Sequence, residues 1–133
     1  MAATIPDNFK DLLTTKLTFA HLGTVMKDGT PQVTPVWFSY DGTQVLLNSA
    51  KGRVKDRNMR ARPHVALSII DPDNAYRYLQ IIGKITEITE QGADAHIDAL
   101  AKKYMGQDTY PFRQPGEERV IYKVTPGKVQ TMG

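Results

Sequence analysis

Cysteine is absent from the chain. That excludes disulfides, thiolate nucleophiles and cysteine-based zinc sites. Histidine is scarce, with three residues, His21, His64 and His96, in separate segments. None has carboxylate neighbours at metal-ligand spacing, so no metal site is expected. No apolar run approaches the roughly 18 residues that a membrane helix needs, and no membrane partner is expected. The first residues, Met-Ala-Ala-Thr-Ile-Pro-Asp-Asn-Phe, lack a basic region followed by an apolar run, which makes the cytoplasm the expected location. No catalytic triad or carboxylate pair stands out, so no catalytic residue is assigned. Asp94 and Asp98 share a helix face but read as a solvated face.

Excess charge is also small, at +3 over 133 residues. The length fits one domain spanning residues 1–133. Much of the excess is concentrated between Lys51 and Arg62. There six cations (Lys51, Arg53, Lys55, Arg57, Arg60, Arg62) face one acid, Asp56. So local a patch suits a small anionic ligand. A nucleic-acid track needs many phosphate contacts, and the run lacks interleaved aromatics, so no nucleic-acid partner is expected.

The chain is organised around residues 47–58. They start as the end of an apolar strand, pass through Asn48, Ser49, Ala50 and Gly52, and enter a basic segment that reads as helical up to Pro63. Small residues allow close approach of a ligand to backbone. The first turn of a helix offers unpaired N–H groups and a positive dipole end. Cationic side chains placed there suit a phosphate. A solvated basic helix is the competing reading.

Residues 6–14 read as a short helix with Pro6 in its first turn and Phe9, Leu12 and Leu13 on one face. Strands are expected over 17–26, 32–40 and 43–48, joined by Asp28-Gly29 and Asp41-Gly42 turns into a meander. Pro35 cannot donate to a ladder and marks an edge or a bulge. Further strands are expected at 64–70 and 75–88, with a bend or bulge at Gly83. A longer helix is predicted over 91–105, with Gly106 just past its end. A loop follows over 107–116. A final hairpin is expected, 118–125 and 128–132 around Pro126-Gly127. Six or seven antiparallel strands in so small a domain predict a mainly β (α+β) fold, closed or nearly closed into a barrel.

This order of elements resembles the split β-barrel family typified by pyridoxamine 5′-phosphate oxidase. More narrowly, it resembles the branch that binds the deazaflavin coenzyme F-420. The resemblance rests on Leu22-Gly23-Thr24-Val25, Asp28-Gly29-Thr30-Pro31-Gln32-Val33, Pro35-Val36-Trp37-Phe38, Asn48-Ser49 with Arg53-Val54-Lys55-Asp56-Arg57-Asn58, and Tyr76-Arg77-Tyr78-Leu79-Gln80-Ile81-Ile82-Gly83. It implies a six-stranded Greek-key barrel and a homodimer with cofactor sites at the interface. It implies an oxidoreductase that takes hydride from reduced coenzyme F-420 to a small unsaturated or quinone-like molecule. FMN is the alternative cofactor, in a flavin reductase or a cofactor-binding protein, and a non-enzymatic carrier is a third reading. By resemblance, Arg53 and Lys55 hold the cofactor phosphate, with Arg57 and Asn58 as neighbouring candidates. Asn48 and Ser49 match the strand end near the ribityl or phosphate region. Gln32, Thr34, Pro35, Val36 and Trp37 match the strand beside the ring. Tyr76, Tyr78 and Gln80 match the strand that reaches towards the partner's site. Residues 125–133 lack the Arg and His pair through which the oxidase itself contacts its substrate, so the deazaflavin branch is the expectation. Trp37 competes with a core or dimer-contact role, and Tyr76 and Tyr78 with plain cross-strand stacking.

Overall fold

The computed structural model describes residues 2–133. Its seven strands are β1 Ala20–Val25, β2 Pro31–Val36, β3 Phe38–Tyr40, β4 Val45–Ala50, β5 His64–Asp71, β6 Asn74–Thr89 and β7 Arg119–Met132. Its helices are a 3-10 turn Asp7–Phe9, then α1 Asp11–Thr14, α2 Val54–Ala61 and α3 Ala93–Met105. The strands form one antiparallel sheet in the order β2-β1-β5-β6-β7-β4-β3. The outermost strands, β2 and β3, are separated in sequence by Trp37 alone. One residue spans only about 3.5 Å. The two edges of the sheet must therefore meet, and the sheet curls into the expected split Greek-key barrel.

This geometry corrects the meander. The predicted second strand is broken at Trp37. Its first half pairs with β1, and its second half pairs with β4 at the other edge. Barrel closure outweighs strand continuity here, because both halves find partners only on opposite edges. Both Asp-Gly turns form as expected. Gly29 and Gly42 take φ of +90° and +102°, and Asp41 Oδ1 accepts from the Thr43 and Gln44 N–H groups at 2.9 and 2.6 Å.

The final hairpin is also corrected. Arg119–Met132 is one continuous strand paired with β6 from Ile121 opposite Thr89 to Met132 opposite Tyr78. Gly127 does not adopt the positive φ of a tight turn. The register instead shifts at Ile82/Gly83, opposite Pro126. The bend or bulge expected at Gly83 is a bulge, with Gly127 of β7 as the extra residue between the Lys128–Ile82 and Pro126–Gly83 pairs. A Cβ on Gly83 would lie 2.7 Å from Val124 Cγ1 and 2.8 Å from Thr125 O, so a side chain there would push the two long strands apart.

Alternation fills the interior. In β5, Val65, Leu67, Ile69 and Asp71 point inward, while intervening positions are more exposed. Leu79 and Ile81 of β6 and Val120, Tyr122 and Val124 of β7 do the same. Phe9 of the 3-10 turn and Leu12 and Leu13 of α1 pack into that core, and Met59 enters it from α2. On α3, Ala93, Ile97, Leu100 and Ala101 are the packed stripe. Gly106 ends the helix at φ +71°. No helix among the described residues is long and apolar enough to cross a membrane.

Candidate functional site

Where the strand breaks at Trp37, between the sheet's two edges, a cleft of about 260 Å³ opens. Pro35, Val36 and Trp37 border it from the broken strand, with Asn48 and Ser49 at the end of β4. Arg53 and Lys55 enter from the start of α2, and Arg119 from the start of β7. Phe19, Ile97, Tyr110 and Phe112 complete the wall.

Aromatic packing shapes one side. Trp37 stacks on Tyr104 with ring centres 5.2 Å apart and planes 3° apart. Tyr110 meets Trp37 edge-on at 6.1 Å, and Phe112 meets Tyr110 the same way at 5.8 Å. The Tyr104 hydroxyl donates to Thr18 O at 2.7 Å, and burial pushes its pKa up to about 12. The loop that carries Tyr110 and Phe112 is tied to α3. Asp98 accepts from the Tyr110 N–H at 2.8 Å, and Asp94 accepts from Arg113 at 2.7 Å. Asp94 and Asp98 therefore anchor this loop rather than only facing solvent.

The basic turn is built on a buried carboxylate. Gly52 takes φ +94°, a conformation that favours glycine, and sends the chain into α2. Asp56 accepts hydrogen bonds from the Gly52 N–H at 2.9 Å, from Arg60 Nε at 2.9 Å and from the buried Tyr122 hydroxyl. Burial pushes the Asp56 carboxyl up, but these donors outweigh it and hold it below its ordinary value. The helix start is thereby pinned to the barrel, with Arg53 and Lys55 on the cleft. Lys55 is half-buried and has no ion-pair partner among the described residues. Burial, then Arg53 and Arg119, lower its pKa. Among the described residues the Arg53 side chain reaches only Glu117 Oε1, at 3.5 Å.

A chain of polar groups runs behind the cleft. Arg119 Nε donates to Asn48 Oδ1 at 2.9 Å. Asn48 Nδ2 lies 3.0 Å from both Ala93 O and His96 Nδ1. His96 Nε2 lies 2.9 Å from Ser39 Oγ. Burial first, then the charges of Arg119 and Lys103, lower the His96 pKa to about 4, so the ring is neutral near pH 7. Two polar atoms that belong to cleft-lining residues, Ser49 Oγ and Arg119 Nη1, are buried without a hydrogen bond. Such atoms are uncommon and call for an explanation.

Seven of the residues singled out from the sequence thus meet at one cleft: Pro35, Val36, Trp37, Asn48, Ser49, Arg53 and Lys55. The others lie elsewhere. Arg57 donates to Gly52 O at 2.7 Å and borders a separate depression with Asn58. Asn58 is buried and donates to Thr24 Oγ1 at 3.0 Å. Gln32 accepts from the same Thr24 hydroxyl at 3.3 Å, and Thr34 pairs with Leu22 in the β1–β2 ladder. Tyr76 is exposed, Tyr78 pairs with Ile70 and Met132, and Gln80 lines a shallow depression with His21 and Val33. Arg119, His96, Tyr104 and Tyr110 escaped the sequence reading. Arg119 follows Glu117-Glu118 and looks like part of an exposed charged turn, while His96 looks like an isolated helical histidine. No local spacing links either to residues 47–58.

The chain matches the pyridoxamine 5′-phosphate oxidase family over residues 5–133. It belongs to that family. Among solved structures it is similar to an F420 reductase, at 37% identity and a TM-score of 0.83, over 95% of this chain and 98% of that one. It also shares its fold with the conserved hypothetical protein Rv2991 of Mycobacterium tuberculosis, at 19% identity and a TM-score of 0.76, over 97% and 85% of the two chains. The HupZ protein of Group A Streptococcus is similar at 18% identity and a TM-score of 0.67, over 96% and 94%. These last two likenesses bear on fold alone. No protein of curated function matches the chain. Within this oxidase family, a cleft that unites an aromatic wall with surplus cations is chemically matched to a phosphorylated ring cofactor of the flavin or deazaflavin class.

Proposed function

We propose that the cleft binds the deazaflavin coenzyme F-420. In this reading the protein is an oxidoreductase that uses the reduced coenzyme to reduce a small unsaturated or quinone-like molecule. The observation that carries the proposal is the convergence of Arg53, Lys55 and Arg119 beside the aromatic wall of Trp37, Tyr110 and Phe112. The buried Arg119 Nη1, which makes no hydrogen bond, fits an anionic oxygen. The similarity to an F420 reductase favours the deazaflavin over FMN. The coenzyme, when bound, supplies the hydride. Arg53 and Lys55 bind its phosphate. Pro35, Val36 and Trp37 border its ring, with Gln32 and Thr34 supporting their strand from the β1 side. Arg57 and Asn58 brace α2. The aromatic wall keeps water from the reacting face and orients a flat substrate.

Two copies would assemble around the two clefts. Val33, Ile70, Tyr76, Ile82 and Met132 leave apolar surface exposed on β2, β5, β6 and β7, and Tyr76, Tyr78 and Gln80 lie on one of those strands. Sedimentation of the purified protein should give a dimer, and a monomer that binds coenzyme fully would remove that part of the reading.

Fluorescence titration with coenzyme F-420 and, separately, with FMN tests the assignment. Micromolar binding of the deazaflavin is expected. The double variant Arg53→Ala with Lys55→Ala should bind about 10²–10⁴-fold more weakly, since each charged hydrogen bond contributes about 1.5–3 kcal/mol. Wild-type affinity in that variant would refute the phosphate assignment. Binding of FMN alone would move the protein to flavin chemistry, and binding of neither would refute the reading.

A further inference from the structure

Asn48 lines the cleft, yet its amide is already fully engaged. Arginine donates and cannot accept, so the amide atom that faces Arg119 Nε at 2.9 Å is the oxygen. The amide nitrogen then has two hydrogens. They point to Ala93 O and His96 Nδ1, each 3.0 Å away. No Asn48 hydrogen is left for a ligand. His96 Nδ1 accepts from Asn48, so the ring proton is on Nε2, and Ser39 Oγ accepts it at 2.9 Å. The chain Ser39–His96–Asn48–Arg119 joins β3, α3, β4 and β7, and its two inner members, His96 and Asn48, are spent on their neighbours.

Arg119 is different. Its side chain is 3% exposed. One edge is fixed by Asn48, and its plane lies over the Tyr110 ring at 5.1 Å. Nη1 is 3.4 Å from Glu117 Oε2, and neither atom makes a hydrogen bond. A charge-assisted bond would be about 2.7–2.9 Å. Arg119 is therefore a buried guanidinium held in one orientation with donor capacity in reserve.

We propose that Arg119 is an anion-binding residue of the cleft, acting beside Arg53 and Lys55 on the bound phosphate, and that Asn48 and His96 are positioning residues that aim it. The proposal rests on the phosphate reading above where the anion is the coenzyme's own, but the site itself recognises a phosphate oxygen from any source.

Two titrations test it, one with inorganic phosphate followed by thermal shift and one with coenzyme F-420 followed by fluorescence. Arg119→Gln should weaken coenzyme binding roughly 10–100-fold, and Arg119→Lys should restore part of it. A deazaflavin without the phosphate should bind wild type and Arg119→Gln equally. Asn48→Leu should weaken coenzyme binding several-fold in wild type but have no further effect beside Arg119→Gln, because it acts through that side chain. Arg119→Lys, which keeps a cation at the start of β7, is the second variant should Arg119→Gln fail to fold, and it should bind the coenzyme more weakly than wild type while binding the phosphate-free ring equally. Equal losses for the phosphate-free ring, or an Asn48→Leu effect that survives Arg119→Gln, would overturn the proposal. So would unchanged affinity in Arg119→Gln. If neither coenzyme binds but inorganic phosphate binds through Arg119, the coenzyme reading fails and this one stands. A wild-type protein that binds no phosphate in any form would end both.

Discussion

Around Arg77, charged side chains complete one another; around Arg119, three cations do not. Arg77 donates to Asp11 at 2.7 and 3.1 Å, to Asp71 at 2.8 Å and to Asn8 O at 2.7 Å. Lys16 joins Asp71 at 2.8 Å and Asp73 at 3.0 Å. This network clasps the N-terminal helix to the β5–β6 turn. Arg77 holds the Asp11 carboxyl below its usual range, and Lys16, ahead of the Asp73 N–H and Arg77, does the same for Asp71. In the cleft the shifts run the other way. Burial, above all, lowers the pKa of Lys55, of Arg119 and of His96. One region uses its charges to hold the fold together. The other gathers three cations, Arg53, Lys55 and Arg119, around one carboxylate, Glu117, a surplus that destabilises the free protein and suits it to an anion.

The clearest way to break this contrast is Arg77→Ala. It removes four donated bonds and leaves Asp11 and Asp71 without their shared cation. We expect Tm to fall by roughly 10 °C, by calorimetry, with coenzyme affinity unchanged. A small shift in Tm would show that the clasp contributes little.

Acid should separate the two regions by pH. His96 titrates at about 4 in the fold against 6.5 when unfolded. The unfolded chain therefore binds the proton first, and stability falls as pH drops from 6.5 to about 4. The clasp carboxylates have folded values below the ordinary 3.8. Their contribution is complete above that value and is lost only as pH falls below it. In a pH series of melting curves, His96→Gln should flatten the upper limb, and Asp71→Asn the lower. An unchanged upper limb in His96→Gln would show that the cleft histidine is not the group responsible.

Removing a surplus charge should have the opposite sign. Lys55→Met keeps the length of the side chain and discards an unpaired, half-buried ammonium. Tm should rise by about 1–3 °C while phosphate affinity drops around tenfold. A fall in Tm would place Lys55 among the structural charges.

The smallest effect is expected from salt. Raising sodium chloride from about 0.05 to about 0.5 M should weaken coenzyme binding several-fold, because Arg53 is exposed and screened. Tm should change by less than about 2 °C, since the clasp is closely paired. Comparable effects on both would remove the distinction.

Much of this protein was legible without coordinates. Period-two alternation in 64–70 and 75–88 marks strands because side chains on a strand alternate faces. The Asp-Gly pairs mark turns because glycine tolerates positive φ there. Residues 47–58 mark the basic turn because small residues, cations and a helix start stand next to one another in sequence. Each of these signals is local, carried within a few residues.

What tertiary structure decided is not local. Residues 32–40 read as one strand, and only the meeting of the two sheet edges splits it at Trp37. Pro126-Gly127 reads as a hairpin turn, and only the long partner β6 makes it a bulge within β7. Arg119 lies 71 residues from Asn48 in sequence, and His96 lies 48 from it. Barrel closure brings all three together, and burial then turns ordinary polar residues into a held guanidinium with a donor to spare. Short-range sterics and periodicity specify the elements. Closure of the sheet and the desolvation that follows it specify which of their side chains meet.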